Sequence, residues 1–391
     1  MKSKEITLAE LAKSNGYATG HFGKWHLGTL TKSMKDANRG KPGDSSHYSP
    51  PWENGFDECF STESKVPTYD PMQKPRDTLA KVSIDKKSRP AVPKRWNKHN
   101  TASKISPYGT HYFTGPGKVE SENLTGDDSR VIMDRAVPFI KKHAKAQKPF
   151  FAIIWFHAPH RPCVAGPRHQ AMYKNLPAKD RHYLGCITAM DEQIARLMRE
   201  LKSAGACDNT LVMFCSDNGP EGRSLKPGNG RTGGLRGRKR SLYEGGIRVP
   251  AVANWPAQLK PAVVSAPCVT SDYFPTISKL LAGQSAQSEL LSEVNSRPCD
   301  GIDITGLMLA KQSERNSEIG FKSRNQRALI GDRYKIYSSN FGKSWQLFDI
   351  VSDHQERKNI ATKKPAVLKD MVRRFRAWEK SCRKSDAGCD Y

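Results

Sequence analysis

Residues 149–156 read PFFAIIWF, an almost unbroken apolar run of strand length, rich in aromatic and β-branched side chains. A strand of that composition has no polar face to turn toward water, so it must be covered on both sides, as in a mostly parallel sheet between helices. The residues that follow keep to that architecture. Ile187, Met190, Ile194, Leu197, Met198 and Leu201 recur at helical spacing, Gly205 closes the helix, and TLVMFCSDNG at 210–219 reads as the next buried strand. Strand, helix and strand in that order predict a right-handed parallel crossover. Such a crossover brings both strand ends to one edge of the sheet, so the loops at 157–160 and 216–219 are expected to share a cleft.

An apolar stretch at 249–255 and a helical segment at 272–282 extend this α/β domain, which we bound at 1–310. Near its start, Thr7 to Glu10 have capping-box spacing and open a short helix stopped by Asn15 and Gly16. After residue 310 the texture changes. RALIGDRYKIYSS and WQLFDI alternate as short antiparallel strands do, and 365–380 read as a helix packed across them, giving a small C-terminal α+β subdomain at 311–391. Residues 29–120 carry Lys, Pro, Ser and Asp with little periodicity and are expected to form long loops around a binding face.

Lys and Arg number 64 against 39 Asp and Glu, a formal charge of +25. A surface that basic attracts polyanions, with nucleic acid and sulfated polysaccharide as the two obvious classes. The cations spread over 81–104, 223–240 and 369–384 without a helix-turn-helix, zinc-finger or ribonucleoprotein pattern, which argues against a nucleic-acid reader. Nine cysteines stand singly, which excludes a CxxC zinc module and a dense disulfide scaffold. No apolar run reaches the roughly 20 residues of a membrane span, and the first sixteen residues hold no apolar core of a secretion signal.

Four short motifs carry chemistry. GYATGHFGKWHLG at 16–28 sets Lys24 and His26 two residues apart in a glycine-rich stretch, where the backbone can come close to a ligand and a cation stands beside an imidazole. That pairing suits an oxyanion. HAPHRP at 157–162 leaves a strand end with prolines before and after His160, which stiffens the loop. Asp217-Asn218-Gly219 offer adjacent carboxylate and carboxamide oxygens, hard ligands suited to Ca²⁺ or Mg²⁺. LRGRKRSLYEGGIRVP at 235–250 sets Lys239 among Arg236, Arg238 and Arg240, which read as a solvated basic loop, with Glu244 and Arg248 spaced to pair.

In this order the four motifs resemble those of the sulfatase family, and the likeness runs from residue 5 to the C terminus. The resemblance implies an alkaline phosphatase-like α/β fold and hydrolysis of sulfuric esters in aryl sulfates or sulfated carbohydrates. It implies Lys24 and Lys239 as sulfate contacts, His26 beside the nucleophile, and His160 at the leaving oxygen with His157 as the alternative. It also implies Asp217 and Asn218 as half the protein ligands of a divalent cation, usually calcium. The family's nucleophile is a formylglycine made from Cys or Ser in a C/S-x-P/A-x-R motif, and an upstream pair of Asp completes the metal site. No Cys or Ser of this sequence stands in that motif. Both elements precede GKWHLG in the family, so the expectation is a chain without the amino-terminal part, inactive as it stands and periplasmic or secreted when complete. Two other readings stay open: a non-catalytic polyanion binder, and a phosphoesterase of the same superfamily, which would gather more His and Asp ligands than one Asp-Asn pair. The sequence leaves the oligomeric state open.

Overall fold

A computed structural model describes residues 4–75, 106–222, 226, 228–282 and 289–389. The basic stretch at 81–104 lies outside the described residues, as do 223–225 and 227 of the 223–240 loop. The chain divides into two compact units, Met1–Ala206 with Lys226–Gly228, and Cys207–Leu225 with Asn229–Tyr391. The boundary expected at 310 falls inside the second unit.

The first unit opens with α1 (Leu8–Ser14), whose capping box is present in full: Glu10 N donates to Thr7 Oγ1 and Thr7 N donates to Glu10 Oε2. Then come β1 (Ala18–Lys24), β2 (Glu58–Thr62), β3 (Phe113–Gly115), β4 (Lys118–Val119), α2 (Asp128–Lys145), β5 (Phe150–Trp155), α3 (Pro167–Ala171) and α4 (Ala178–Ser203). The strands form one mixed sheet in the order β4-β3-β2-β1-β5, with β1 parallel to both β2 and β5. Its two faces are covered differently. Phe22 on β1 packs against Phe139 on α2, ring centroids 5.5 Å apart. On the other face Ala9 of α1 joins Trp25, Leu30, Phe56, Cys59 and Phe113, with Phe151 and Ile153 of β5 packed against them.

Of the elements here that were not expected, two show why. β2 reads ECFST and falls inside the stretch taken for loops, because its polar residues hide a buried strand. Ser61 and Thr62 are fully buried, and each meets a histidine: Ser61 Oγ lies 2.7 Å from His21 Nδ1, and Thr62 Oγ1 lies 2.9 Å from His157 Nε2. α2 carries Pro138 in its interior, which breaks the local helical signal.

The second unit contains β6 (Val212–Cys215), α5 (Glu244–Ile247), β7 (Ala251–Asn254), α6 (Tyr273–Ala282), α7 (Glu289–Ser296), α8 (Thr305–Met308), β8 (Ile319–Ser323), β9 (Gln326–Ile330), β10 (Tyr334–Ser338), β11 (Gln346–Asp349) and α9 (Pro365–Asp386). The expected antiparallel C-terminal sheet is present in the order β11-β10-β9-β8. Period-2 alternation gives it two apolar faces. Leu329, Ile336 and Leu347 meet Met371 and Phe375 of α9, while Ala328, Ile330, Tyr337 and Phe348 meet Leu242, Tyr243 and Ile247.

The parallel crossover between 150–155 and 212–215 requires correction. β6 pairs antiparallel with β7, from Val212 opposite Asn254 to Cys215 opposite Ala251, in a two-stranded sheet of its own. Its four residues are half-buried, as five of the six in β5 are. An apolar run states that a strand needs cover; it does not state which strand supplies it.

Candidate functional site

Within the first unit the parallel pairing of β1 and β5 sets Gly23 opposite Trp155, so the residues after each strand leave the same sheet edge. Gly23 is required there. Its φ is +108°, and a Cβ at that position would lie 2.1 Å from Trp155 O. The next turn is pinned by Trp25, which is buried, donates its backbone N–H to Thr62 O at 2.8 Å and its indole N–H to Ser49 O at 2.6 Å. Lys24 and His26 flank this anchor, Lys24 half-buried and His26 exposed. His26 sits at φ 56°, a left-handed conformation that a non-glycine residue enters at a cost and that clusters at functional positions.

β5 runs into His157, and the two histidines of that loop have different surroundings. His157 is buried, with Nδ1 2.8 Å from Asp128 Oδ2 and Nε2 2.9 Å from Thr62 Oγ1. Tyr112 donates to the other Asp128 oxygen at 2.6 Å, and Thr62 donates to Ser64 O at 2.7 Å. Both ring nitrogens of His157 are therefore committed to the scaffold that holds β2, α2 and β5 together. His160 is only half-buried, its backbone N–H donates to His157 O at 2.6 Å, and its Nδ1–H donates to Arg161 O at 2.7 Å. A carbonyl only accepts, so the proton sits on Nδ1 and the neutral ring carries its lone pair on Nε2.

Within the second unit, the loop after β6 and the basic loop at 235–250 meet. Gly219 N donates to Gly246 O at 2.9 Å, Lys239 N donates to Pro220 O at 3.1 Å, and a Cβ on Gly219 would lie 2.0 Å from Gly245 O. Only glycine allows that approach. Asp217 is exposed and Asn218 half-buried, its amide donating to Gly219 O at 3.0 Å. Lys239 Nζ stands 3.7 Å from Glu221 Oε2, and Arg240 Nη1 is 2.5 Å from Glu221 Oε1. Burial works against the charged form of Glu221, yet the Arg240 hydrogen bond and both cations hold its carboxyl below the usual range. The sequence analysis missed Glu221, although it follows the DNG motif within two residues.

The neighbouring arginines divide: Arg236 and Arg240 are exposed, as a solvated loop requires, and Arg238 is half-buried. Arg238 donates to the Glu221, Asn229 and Gly230 carbonyls. Arg236 lies 3.9 Å over the Tyr243 ring and donates to Glu356 O at 3.2 Å. Both shape the loop, which leaves Lys239 as its half-buried cation with a side chain aimed at a carboxylate. The expected Glu244–Arg248 pair is present at 2.5 Å.

Asp217 and Asn218 are donors of the kind a divalent cation takes. Among the described residues, however, no group of three or more His, Cys, Asp or Glu could hold a metal ion, and calcium takes about 6–8 oxygens. The two donors alone do not make a coordination shell.

The comparisons with known proteins give the family. The sulfatase family model matches residues 2–283, and the chain belongs to that family of sulfuric ester hydrolases. It is 26% identical over 405 residues to the N-acetylgalactosamine-6-O-sulfatase of Bacteroides thetaiotaomicron, covering 94% of this chain and 75% of that one. It is likewise 26% identical to the N-acetylgalactosamine-6-sulfatase of Canis lupus familiaris, covering 92% of this chain and 59% of the relative. The chain thus spans between about half and three quarters of the length of the curated relatives it matches. Among solved structures, Ps i-CgsB in complex with k-i-k-neocarrahexaose is similar with a TM-score of 0.71 and 25% identity, over 96% of this chain and 74% of that one. A structure in complex with its substrate D-glucosamine-2-N,6-O-disulfate, at 17% identity and a TM-score of 0.63, over 99% of this chain and 84% of that one, shares the fold. The alkaline phosphatase-like fold expected from the motifs is the fold of these sulfatases.

Proposed function

We propose that this chain binds the sulfate ester of a sulfated carbohydrate and carries the charge-neutralising and leaving-group side of its hydrolysis. The observation that supports this reading is the pair of glycine-tight loops, each built so that only Gly23 or Gly219 fits, presenting Lys24 and His26 in one case and Asp217, Asn218 and Lys239 in the other. Lys24 and Lys239 neutralise sulfuryl oxygens, and fixed charges aimed at developing negative charge are usually the largest single catalytic contribution. His160, held with Nδ1–H on Arg161 O, acts as an imidazolium: it gives the proton on Nε2 to the leaving oxygen and is left as the neutral ring with its lone pair on Nε2. His26 takes up or returns a proton at the attacking side.

Asp217 and Asn218 would contribute two oxygens to a calcium or magnesium ion, which would further polarise the sulfate. A formylglycine supplies the attacking oxygen where a sulfatase carries one, and no Cys or Ser of this sequence stands in the C/S-x-P/A-x-R motif. The formal charge of +25 supports a second reading, a chain that binds sulfated glycans without turning them over. Among the described residues no helix is long and apolar enough to cross a membrane, and we assign the protein to the periplasm or the outside of the cell with its family.

Calorimetry with N-acetylgalactosamine 6-sulfate, with and without calcium, tests the binding site. Lys24→Ala and Lys239→Ala should each weaken binding about tenfold, equivalent to about 1.4 kcal/mol, and Asp217→Ala should remove any calcium dependence. Equal affinity for unsulfated N-acetylgalactosamine would refute the site. Release of sulfate by the 391-residue chain would instead refute the reading without turnover.

A further inference from the structure

One motif of the sequence remains unused by the ester site: the cations at 369–384. They lie on α9, and their spacing is not random. Lys369, Arg373, Arg376, Lys380, Arg383 and Lys384 are all exposed, and at 3.6 residues per turn they fall within an arc of about 100°. The stripe runs about 22 Å along the helix at 1.5 Å per residue. The opposite face is fully used: Met371 and Phe375 are buried against the sheet, with Val367, Leu368, Val372 and Trp378 packed beside them. The acids of α9 sit off the stripe. Asp370 pairs with Arg373 and with the flanking Arg374, and Glu379 pairs with Arg327 at 2.9 Å and Arg383 at 3.9 Å. Exposed small residues border the stripe, Ala377 along its edge and Ala366 and Ala387 beyond its two ends.

We propose that this face of α9 is a binding surface for a linear sulfated glycan, separate from the ester site and independent of turnover. Like charges at i,i+3 and i,i+4 repel, so six cations in one stripe hold electrostatic repulsion that a polyanion lying along the helix relieves. Arg and Lys side chains meet sulfate and carboxylate oxygens with charge-assisted hydrogen bonds, and arginine does so with two donors at once. Single-stranded nucleic acid is the less suitable occupant. Its non-specific binding relies on aromatic side chains that stack bases, and the stripe has none; Trp378 lies on the packed face with its indole N–H on Asp300.

The test uses heparin as the probe, with single-stranded DNA of matched length as the competing class. A variant in which Lys369, Arg373, Arg376, Lys380, Arg383 and Lys384 are all replaced by Gln should lose more than tenfold in heparin affinity at physiological salt, and its affinity should fall less steeply as salt rises. A control variant replaces six exposed lysines elsewhere, Lys41, Lys118, Lys145, Lys174, Lys202 and Lys311, by Gln. It carries the same net charge and should lose less than threefold. Gln is a good helix former, so the stripe variant should keep the wild-type thermal midpoint. Equal losses in the two variants would mean that total charge alone attracts heparin, and the proposal fails. It also fails if wild type binds the DNA more tightly than heparin through the same six residues. Neither result depends on whether the chain releases sulfate or binds the monosaccharide ester.

Discussion

The two units solve one problem in opposite ways: what to do with a titratable group inside a core. In the first unit His21 is fully buried among aromatic rings, its centroid 5.0 Å from Trp25, 5.4 Å from Phe56 and 5.1 Å from Trp155. Its Nδ1 meets Ser61 Oγ, and burial pushes the imidazole down to about 3, so the ring is neutral. The second unit keeps its charges and pairs them. Lys335 is fully buried with Nζ 2.8 Å from both Glu244 and Glu356, and Arg315 makes a buried two-pronged pair with Asp272 at 2.6 and 2.8 Å. The first solution depends on pH; the second depends on every partner staying in place.

The largest expected effect comes from breaking the paired core. Lys335→Met removes the one cation that faces two buried carboxylates, and removal of a single partner from a buried ion network costs about 3–5 kcal/mol. Glu356 feels this most. Burial already pushes its carboxyl up despite Lys335, whereas Glu244, also opposed by burial, is held below the usual range by Lys335 and Arg248. Urea unfolding of wild type and variant measures the loss. A cost below about 1 kcal/mol would show that the network is not the second unit's keystone, and the contrast between the units would lose its basis.

Acid should act mainly on the other unit. His182 joins His21 as a buried neutral ring, pushed down to about 4 by burial and by Arg181, and its Nδ1 accepts from Ala165 N–H at 3.1 Å. Both folded values lie below the ordinary 6.5, so between pH 6.5 and about 4 the unfolded chain binds more protons than the folded one. Stability therefore falls as pH falls through that window, by up to about 1.4 kcal/mol per pH unit for each histidine. In the second unit the two glutamates offset each other: the depressed Glu244 loses stabilisation in acid, and the raised Glu356 gains it. Thermal midpoints read from pH 7 to 4.5 should drop for wild type and drop less for His21→Phe. An identical slope in that variant would mean that His21 is not the acid-labile element.

The same contrast marks what sequence could and could not disclose. Local signals were strong where one face meets water and the other a core: the capping box at Thr7, the helical stripe of α4, the alternation of β9 to β11 and the amphipathic α9 were all legible. Buried polar residues hid their elements. β2 could not be seen because Ser61 and Thr62 are satisfied by His21 and His157, partners 40 and 95 residues away in sequence. Pairing was equally invisible, since nothing local told β6 to choose β7. At the candidate site the DNG motif and Lys239 stood out, yet the four cations at 236–240 look alike until the carbonyls that bind Arg238 and the ring beneath Arg236 are known. Glu221 was overlooked because an acid beside a basic loop reads as surface.

The smallest predicted effect completes the comparison, because it concerns a lysine paired as closely as Lys335 but in water. Lys13 Nζ lies 2.6 Å from Asp57 Oδ1, shorter than either contact of Lys335, with the two side chains 56% and 38% exposed. If distance decided strength, Lys13→Ala would be the more damaging change. Solvent decides instead: water screens the attraction, holding two side chains in one geometry costs entropy, and exposed pairs are worth about 0–1 kcal/mol. Asp57 also keeps its other partners, the Thr19 backbone N–H at 3.1 Å and hydroxyl at 3.0 Å, so no buried charge is stranded. Lys13→Ala should therefore move the urea midpoint by a small amount that shrinks further at 1 M salt. A loss comparable to that of Lys335→Met, or one insensitive to salt, would show that burial is not what separates the two lysines.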